Sequence, residues 1–203
     1  MNILIVKYLP SGSKSNTLGL LNHFTENLST KHNITEVDLL KSPPKYFDEL
    51  TLGAYAKRNF GGIELDSKES EAIKPLDELN EQFINADLVV LALPMHNFSL
   101  PGIVKVYLDA IMQSGKVFKY ENGTPLGLMD KIKFVTLYTS AGKYQGDYEF
   151  LDNVKTLLKI ELDFMGIKDY GFVHASSGNP DNIESEFANA KQEIDQIIQN
   201  WNI

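Results

Sequence analysis

The chain has 203 residues, with 27 acidic against 19 basic side chains and a formal net charge of −8. An acidic surface of this kind repels polyanions and argues against broad nucleic-acid binding. The absence of cysteine excludes disulfides, a thiol nucleophile and a cysteine-ligated metal, and it fits a reducing, cytoplasmic setting. No apolar run reaches the length of a membrane span, so no membrane insertion is expected.

The chain enters an apolar strand at once, Asn2 to Lys7, with no signal-peptide core or small-residue cleavage site behind it. A polar loop, Leu9 to Lys14, leads into a helix over Ser15 to Thr30 with Leu18, Leu21, Phe24 and Leu28 on one face. A second strand is expected near Asn33 to Leu39. The next stretch, 41–65, contains Pro43-Pro44 and Gly61-Gly62 and reads as an irregular insertion, too long for an ordinary connection. A helix over Ser67 to Ala86 aligns Ala72, Leu76, Leu79 and Phe83. Pro75 should kink this helix or mark its true first turn.

Leu88 to Leu93 is an unbroken apolar run, the pattern of a strand buried on both faces. Pro94 ends it, because proline has no N–H for the ladder. Pro101-Gly102 opens a helix with apolar residues at 103, 104, 107, 108, 111 and 112. A strand over Ile132 to Thr139, a helix over Phe150 to Met165 stopped by Gly166, a strand over Tyr170 to His174 and a helix over Asn182 to Trp201 complete the chain. Strand–helix alternation of this kind builds a parallel, doubly wound α/β sheet. We expect one domain over 1–203, a three-layer α/β/α sandwich with a five-stranded sheet of order 2-1-3-4-5. That order puts strands one and three side by side at the topological switch point, where ligands bind.

Two loops would therefore meet at one crevice. The first, Tyr8-Leu-Pro-Ser-Gly-Ser-Lys-Ser15-Asn-Thr17, offers hydroxyls on Ser11, Ser13, Ser15 and Thr17, a charge on Lys14 and the free N–H groups of a helix start, which suit a phosphomonoester. It is neither a Walker A loop nor a Gly-x-Gly-x-x-Gly fingerprint. The competing reading is a plain cap on a surface turn. The second loop, Pro94-Met-His-Asn-Phe98, is flat, apolar and amide-rich, and suits a flat aromatic ligand with hydrogen-bonding edges. A third loop, Thr139 to Gly146, should line the same crevice. The four histidines, 23, 32, 96 and 174, show no metal-binding spacing. Ser140 lacks a Gly-x-Ser-x-Gly elbow and shows no evident His or Asp partner, which argues against a serine hydrolase. On spacing alone, Phe118, Tyr120, Phe164 and Phe172 read as core.

At this point the residues resemble a family. Lys7 with Ser13-Lys-Ser-Asn16, Pro94-Met-His-Asn-Phe98, Phe118-Lys-Tyr-Glu-Asn-Gly123, Gly127-Leu128, Thr139-Ser-Ala-Gly142 and Phe164-Met-Gly-Ile167 are similar in order to the FMN-dependent NADH-azoreductases. These are also described as quinone reductases, in the flavodoxin-like fold. The resemblance implies a homodimer with one FMN at each of two sites near the interface. It implies that Ser13, Lys14 and Ser15 hold the phosphate and that Pro94, Met95, His96, Asn97 and Phe98 wrap the isoalloxazine. Ser140, Ala141 and Gly142 would sit by its pyrimidine edge, and Tyr120 and Phe164 would shape the substrate pocket across the dimer. The chain departs from the pattern in four places. Tyr8 replaces a phosphate-contacting Ser, for which Ser11 would compensate. His96 replaces a Tyr, Ala141 and Lys143 replace Arg and Gly, and Thr124 follows Glu-Asn-Gly instead of a Thr preceding it.

The implied activity is ping-pong hydride transfer from NADH through FMN to a quinone or aromatic azo compound. The cofactor supplies the hard chemistry, and no catalytic dyad is needed. His96 is the one candidate proton donor; a packing or flavin-edge role is its competing reading. The rivals are a non-enzymatic flavodoxin-like electron carrier and a phosphodiester hydrolase.

Overall fold

Alternation along the strands decides which side of the sheet each helix covers. The computed structural model describes residues 1–29 and 31–203. In chain order its strands are β1 (Asn2–Lys7), β2 (Asn33–Asp38), β3 (Leu88–Pro94), β4 (Phe118–Glu121), β5 (Thr124–Gly127), β6 (Lys133–Ser140) and β7 (Asp169–Ser176). The helices are α1 (Asn16–Glu26), α2 (Glu49–Asn59), α3 (Ser67–Ile84), α4 (Gly102–Ile111), α5 (Asn153–Met165) and α6 (Ile183–Trp201). Five strands form a parallel sheet in the order β2-β1-β3-β6-β7. Ile3, Ile5, Val90, Ala92, Val135, Leu137 and Val173 point to one face, where Leu20, Leu21 and Phe24 of α1 and Ala190 and Ile194 of α6 cover them. Leu4, Val6, Val89, Leu91, Phe134 and Tyr138 point to the other face, against α3, α4 and α5. Period-two side chains buried on both faces explain the unbroken apolar runs of the central strands. Each such aliphatic side chain contributes about 1.5–3 kcal/mol by leaving water.

Three local expectations are corrected. The 41–65 stretch is not wholly irregular, since it contains α2. Asp48 starts that helix by accepting from the Thr51 N–H at 2.8 Å and the Thr51 hydroxyl at 2.7 Å. Arg58 grips Asp77 of α3 with two nitrogens, at 2.6 and 2.9 Å, and Asn59 donates to the Ser114 carbonyl at 2.8 Å. Pro75 neither starts α3 nor breaks it. A capping box at Asp66 and Glu69 sets the start, and Pro75 and the Glu71 carbonyl it cannot satisfy both belong to exposed residues, where water can serve. The helix expected from Phe150 begins only at Asn153, after a short 3-10 turn over Gly146–Leu151. The chain also forms an antiparallel hairpin β4–β5, so the parallel sheet, counted in chain order, reads 2-1-3-6-7, which is consistent with the expected five-stranded order. The expected last residue of the first helix, Thr30, lies outside the described residues.

Candidate functional site

β1 and β3 are neighbours, and the segments leaving their carboxyl ends meet there. After β1 the chain passes through a 3-10 turn, Gly12–Lys14, with Gly12 at a φ of 54°. Ser15 then caps α1, its hydroxyl accepting from the Leu18 N–H at 3.3 Å. Ser11, Ser13 and Lys14 are exposed beside the free N–H groups and positive end of an 11-residue helix. Thr17, expected among the outward hydroxyls, is instead buried and hydrogen-bonded to Thr139 at 2.8 Å. This pair locks the start of α1 to the end of β6. The reason is the alternation of β6: odd-numbered Thr139 faces the α1 layer, and Ser140 the opposite one.

After β3 the chain reverses within four residues. The His96 N–H donates to the Ser99 carbonyl and the Ser99 N–H to the His96 carbonyl, both at 3.0 Å. Asn97 and Phe98 take φ of 46° and 65°, a primed turn built with no glycine. A left-handed Phe costs about 1–3 kcal/mol and persists only where the surroundings over-determine it. Here the Phe98 carbonyl accepts from the Asn153 N–H at 3.0 Å, and its ring meets Tyr144 edge-on at 5.8 Å. Tyr8 meets His96 in the same way, with centroids 5.7 Å apart and planes at 76°. Among the described residues, no hydrogen bond within the chain occupies the N–H groups of Asn97, Phe98, Ala141 or Gly142. Four unengaged donors in two facing loops suit the carbonyl- and nitrogen-rich edge of a flavin.

The third loop follows β6. Ser177 donates to the Ser140 carbonyl at 2.8 Å and Gly178 to the Ala141 carbonyl at 2.9 Å, so the loop is strapped to the end of β7. A Cβ on Gly178 would collide with that same carbonyl. Ser140 is not without a partner, as the sequence suggested. Its hydroxyl lies 2.7 Å from His174 Nε2 and 2.6 Å from the Gly142 carbonyl. His174 stacks on Tyr138, centroids 4.5 Å apart, and the Tyr138 hydroxyl donates to Asp152 at 2.5 Å. Burial, with that carboxylate alongside, pushes the Tyr138 phenol far up, and burial lowers the His174 imidazole. The signal for His174 was its register: it pairs with Tyr138, which places it on the face of Ser140, but only once β6 and β7 are known to be neighbours.

Tyr120 and Phe164 come together through Phe118, whose ring lies 5.8 Å from the first and 4.7 Å from the second. Phe118 is core, whereas Tyr120 is 56% exposed. Among the described residues no aromatic contact joins this corner to Tyr8, His96 or Phe98. A cavity of about 900 Å³ beside Arg58, Ile63 and Asp77 lies between α2 and α3. Its guanidinium is already satisfied by Asp77, so the crevice at the strand ends remains the chemically equipped site.

A parallel sheet switching direction at β1/β3, with a hydroxyl-rich helix start and an amide-rich turn over that point, defines a flavodoxin-like protein. The model of a family described as having the flavodoxin-like fold matches residues 1–198. An FMN-dependent NADH:quinone oxidoreductase of Nostoc sp. is 33% identical, over 98% of this chain and 99% of its own. One from Cellvibrio japonicus is 30% identical, over 97% and 98%. The crystal structure of an FMN-dependent NADH-azoreductase from Bacillus anthracis in complex with FMN superposes with a TM-score of 0.85 at 26% identity, covering 97% of this chain and 98% of that one. The chain belongs to the family of FMN-dependent NADH:quinone oxidoreductases.

Proposed function

We propose that this protein is an FMN-dependent NADH:quinone oxidoreductase that also reduces aromatic azo compounds. The observation that carries the reading is the crevice itself. An anion-ready helix start, a strained turn with unengaged N–H groups and a strapped third loop converge on the β1/β3 switch point. FMN, when bound, would supply hydride acceptance from NADH and hydride delivery to the acceptor, in ping-pong order at one face. Ser11, Ser13, Lys14 and Ser15 would hold the phosphate by hydroxyl, ammonium and helix-end N–H groups. Pro94, Met95, His96, Asn97 and Phe98 would wrap the ring system. Ala141 and Gly142, leaving β6 at Ser140, would place their N–H dipoles where negative charge develops, a preorganised arrangement that needs no side-chain base. His96 is exposed and could hand a proton to the acceptor.

The reading includes a single domain over 1–203 and a homodimer in which Tyr120 and Phe164 complete the partner's pocket. Exposed Tyr46, Leu52, Phe60 and Ile63, on and around α2, support an apolar interface. A cytoplasmic location accords with the cysteine-free, acidic composition. The test is an anaerobic absorbance spectrum of the FMN-reconstituted protein, before and after NADH and then benzoquinone. A flavin band bleached by NADH and restored by quinone is expected. A band that ignores NADH would make the protein an electron carrier, and no bound flavin would remove the reading.

A further inference from the structure

The Ser140–His174 contact has the outline of a nucleophile and its base, but the hydrogen-bond count gives it the opposite polarity. A serine hydroxyl has one proton to donate and lone pairs to accept with. The Ser140 proton points to the Gly142 carbonyl, 2.6 Å away, and a carbonyl can only accept. The 2.7 Å contact with His174 Nε2 must then be donated by the imidazole. This assigns the Nε2–H form to His174 from the network and leaves no lone pair at Nε2 to take a proton from the serine. Both side chains are held for this purpose. Ser140 is buried, and the His174 ring is clamped against Tyr138, which Asp152 anchors in turn.

We propose that His174 is a positioning residue for the flavin. Through its Nε2–H it fixes the Ser140 hydroxyl, which fixes the Gly142 carbonyl and with it the Lys143 N–H of the same peptide plane, a donor that no hydrogen bond among the described residues occupies. The proposal rests on the FMN reading above and deepens it. The two straps from Ser177 and Gly178 hold the carbonyls of Ser140 and Ala141, and so the Ala141 and Gly142 N–H groups, but leave the Gly142–Lys143 peptide free to turn. The His174–Ser140 pair supplies the missing restraint. The donor is present whether the ring is neutral or charged, so the restraint is independent of its titration.

The test compares wild type, His174→Phe, which keeps a ring on Tyr138 but has no donor, and His174→Gln, which keeps a donor and loses the ring. FMN affinity is read by quenching of flavin fluorescence, the midpoint potential of the bound flavin by spectroelectrochemistry, and folding by the melting temperature of the apoprotein. Loss of one neutral hydrogen bond predicts roughly three- to tenfold weaker FMN binding in the Phe variant, with a shifted potential, and recovery of most of both in the Gln variant. Equal affinity and potential in wild type and the Phe variant would overturn the proposal while leaving the FMN reading intact. So would losses that follow melting temperature alone, with Gln no better than Phe. A wild type that binds no FMN would overturn the reading itself, and the proposal with it. A measurement free of variants is the ¹⁵N spectrum of the wild-type apoprotein at neutral pH. His174 is expected protonated at Nε2 and bare at Nδ1, and the reverse tautomer would refute the assignment.

Discussion

Replacing Gly127 by Ala tests how the Phe118–Phe164 corner, the proposed substrate side, is held. Gly127 ends β5 and lies on Gly166, the left-handed cap of α5 at a φ of 84°. A Cβ at Gly127 would stand closer to Met165 C, Gly166 N and Gly166 Cα than real Cβ atoms come. All three are backbone atoms, so no rotamer relieves the overlap, and the hairpin must retreat by on the order of 1 Å to reach ordinary contact. The retreat strains the Met129 N–H to Met165 carbonyl bond of 2.9 Å and parts Phe118 from Phe164. Overpacking of about 1–3 kcal/mol and a weakened hydrogen bond of about 1 kcal/mol sum to about 2–4 kcal/mol. For a chain of this size that lowers the melting temperature by about 5–15 °C. The flavin loops lie on other elements, so FMN affinity should change less than the KM for quinone. Gly19→Ala is the counterpart: this exposed glycine within α1 has nothing within 4 Å of its Cβ position, and alanine there should stabilise by about 0.5–1 kcal/mol. Circular-dichroism melts of both variants, with FMN titrations and quinone kinetics, decide the matter. A Gly127→Ala protein that melts with wild type would refute the close-packing argument.

Thr17→Val removes the hydroxyl that joins α1 to β6 and strands that of Thr139 in a buried site, so urea unfolding should show a loss of about 1–3 kcal/mol; an unchanged midpoint and slope would mean the pair contributes nothing. His174 carries a pH signature. Burial lowers its pKa below the ordinary 6.5, against Asp152 and Glu186, which raise it, and with Lys143, which lowers it. The unfolded chain therefore binds more protons than the folded one just below pH 6.5, and stability falls as pH drops through that window. His174→Gln lacks this dependence, so any stability advantage of wild type over the variant in thermal melts should shrink between about pH 7.5 and pH 5.5; a gap that stays constant would count against the buried neutral imidazole. His96→Ala probes proton donation directly: slower reoxidation by an azo acceptor, with a changed pH profile in stopped flow, is expected if the imidazole is the donor, and identical rates across pH would leave His96 a packing group against Tyr8.

The sheet was legible because its signal is local. Leu88 to Leu93 is apolar at every position, and Phe134 to Tyr138 at every position but Thr136, the pattern of a strand covered on both faces. The edge strand β2, with most of its residues exposed, was found by position rather than by pattern. The short β4–β5 hairpin does carry a local signal, the alternating Phe118-Lys-Tyr-Glu121 and an Asn122-Gly123 turn with both residues at positive φ, but its strands have four residues each and Pro125 interrupts the second. The rest of what failed to show was tertiary. α2 is only weakly amphipathic and buries Thr51 and Ala54 alone; its contacts with α3 and Ser114 hold it. At the site, residue types in the three loops were readable, but the direction of a side chain was not. Thr17 turns inward and Ser140 finds a histidine 34 positions away because β6 alternates between two faces and lies beside β7. Neither fact is available until the strand order is known.

The departures from the family pattern divide by their physical effect. Tyr8 and His96 are one exchange rather than two losses, since their rings touch edge-on across the gap between the β1 and β3 loops. Tyr8 is fixed by its N–H on the Ala92 carbonyl at 2.9 Å, so aromatic bulk at that rim is redistributed and not removed. The change at 141 and 143 is of another kind. Ala141 brings no charge, and the ammonium of Lys143 is paired with Glu186 of α6, an attachment that draws it toward the outer helix layer. In the proposed site the third loop thus gives up a cation that could be shared with an anionic reduced flavin, which would leave that stabilisation to backbone dipoles. Dipoles act through orientation, so under the proposed function the tightness with which the Ser140–Lys143 segment is held would tune flavin affinity and potential. A loop strapped at Ser177 and Gly178 and pinned from behind by an imidazole is the structural form that requirement takes here.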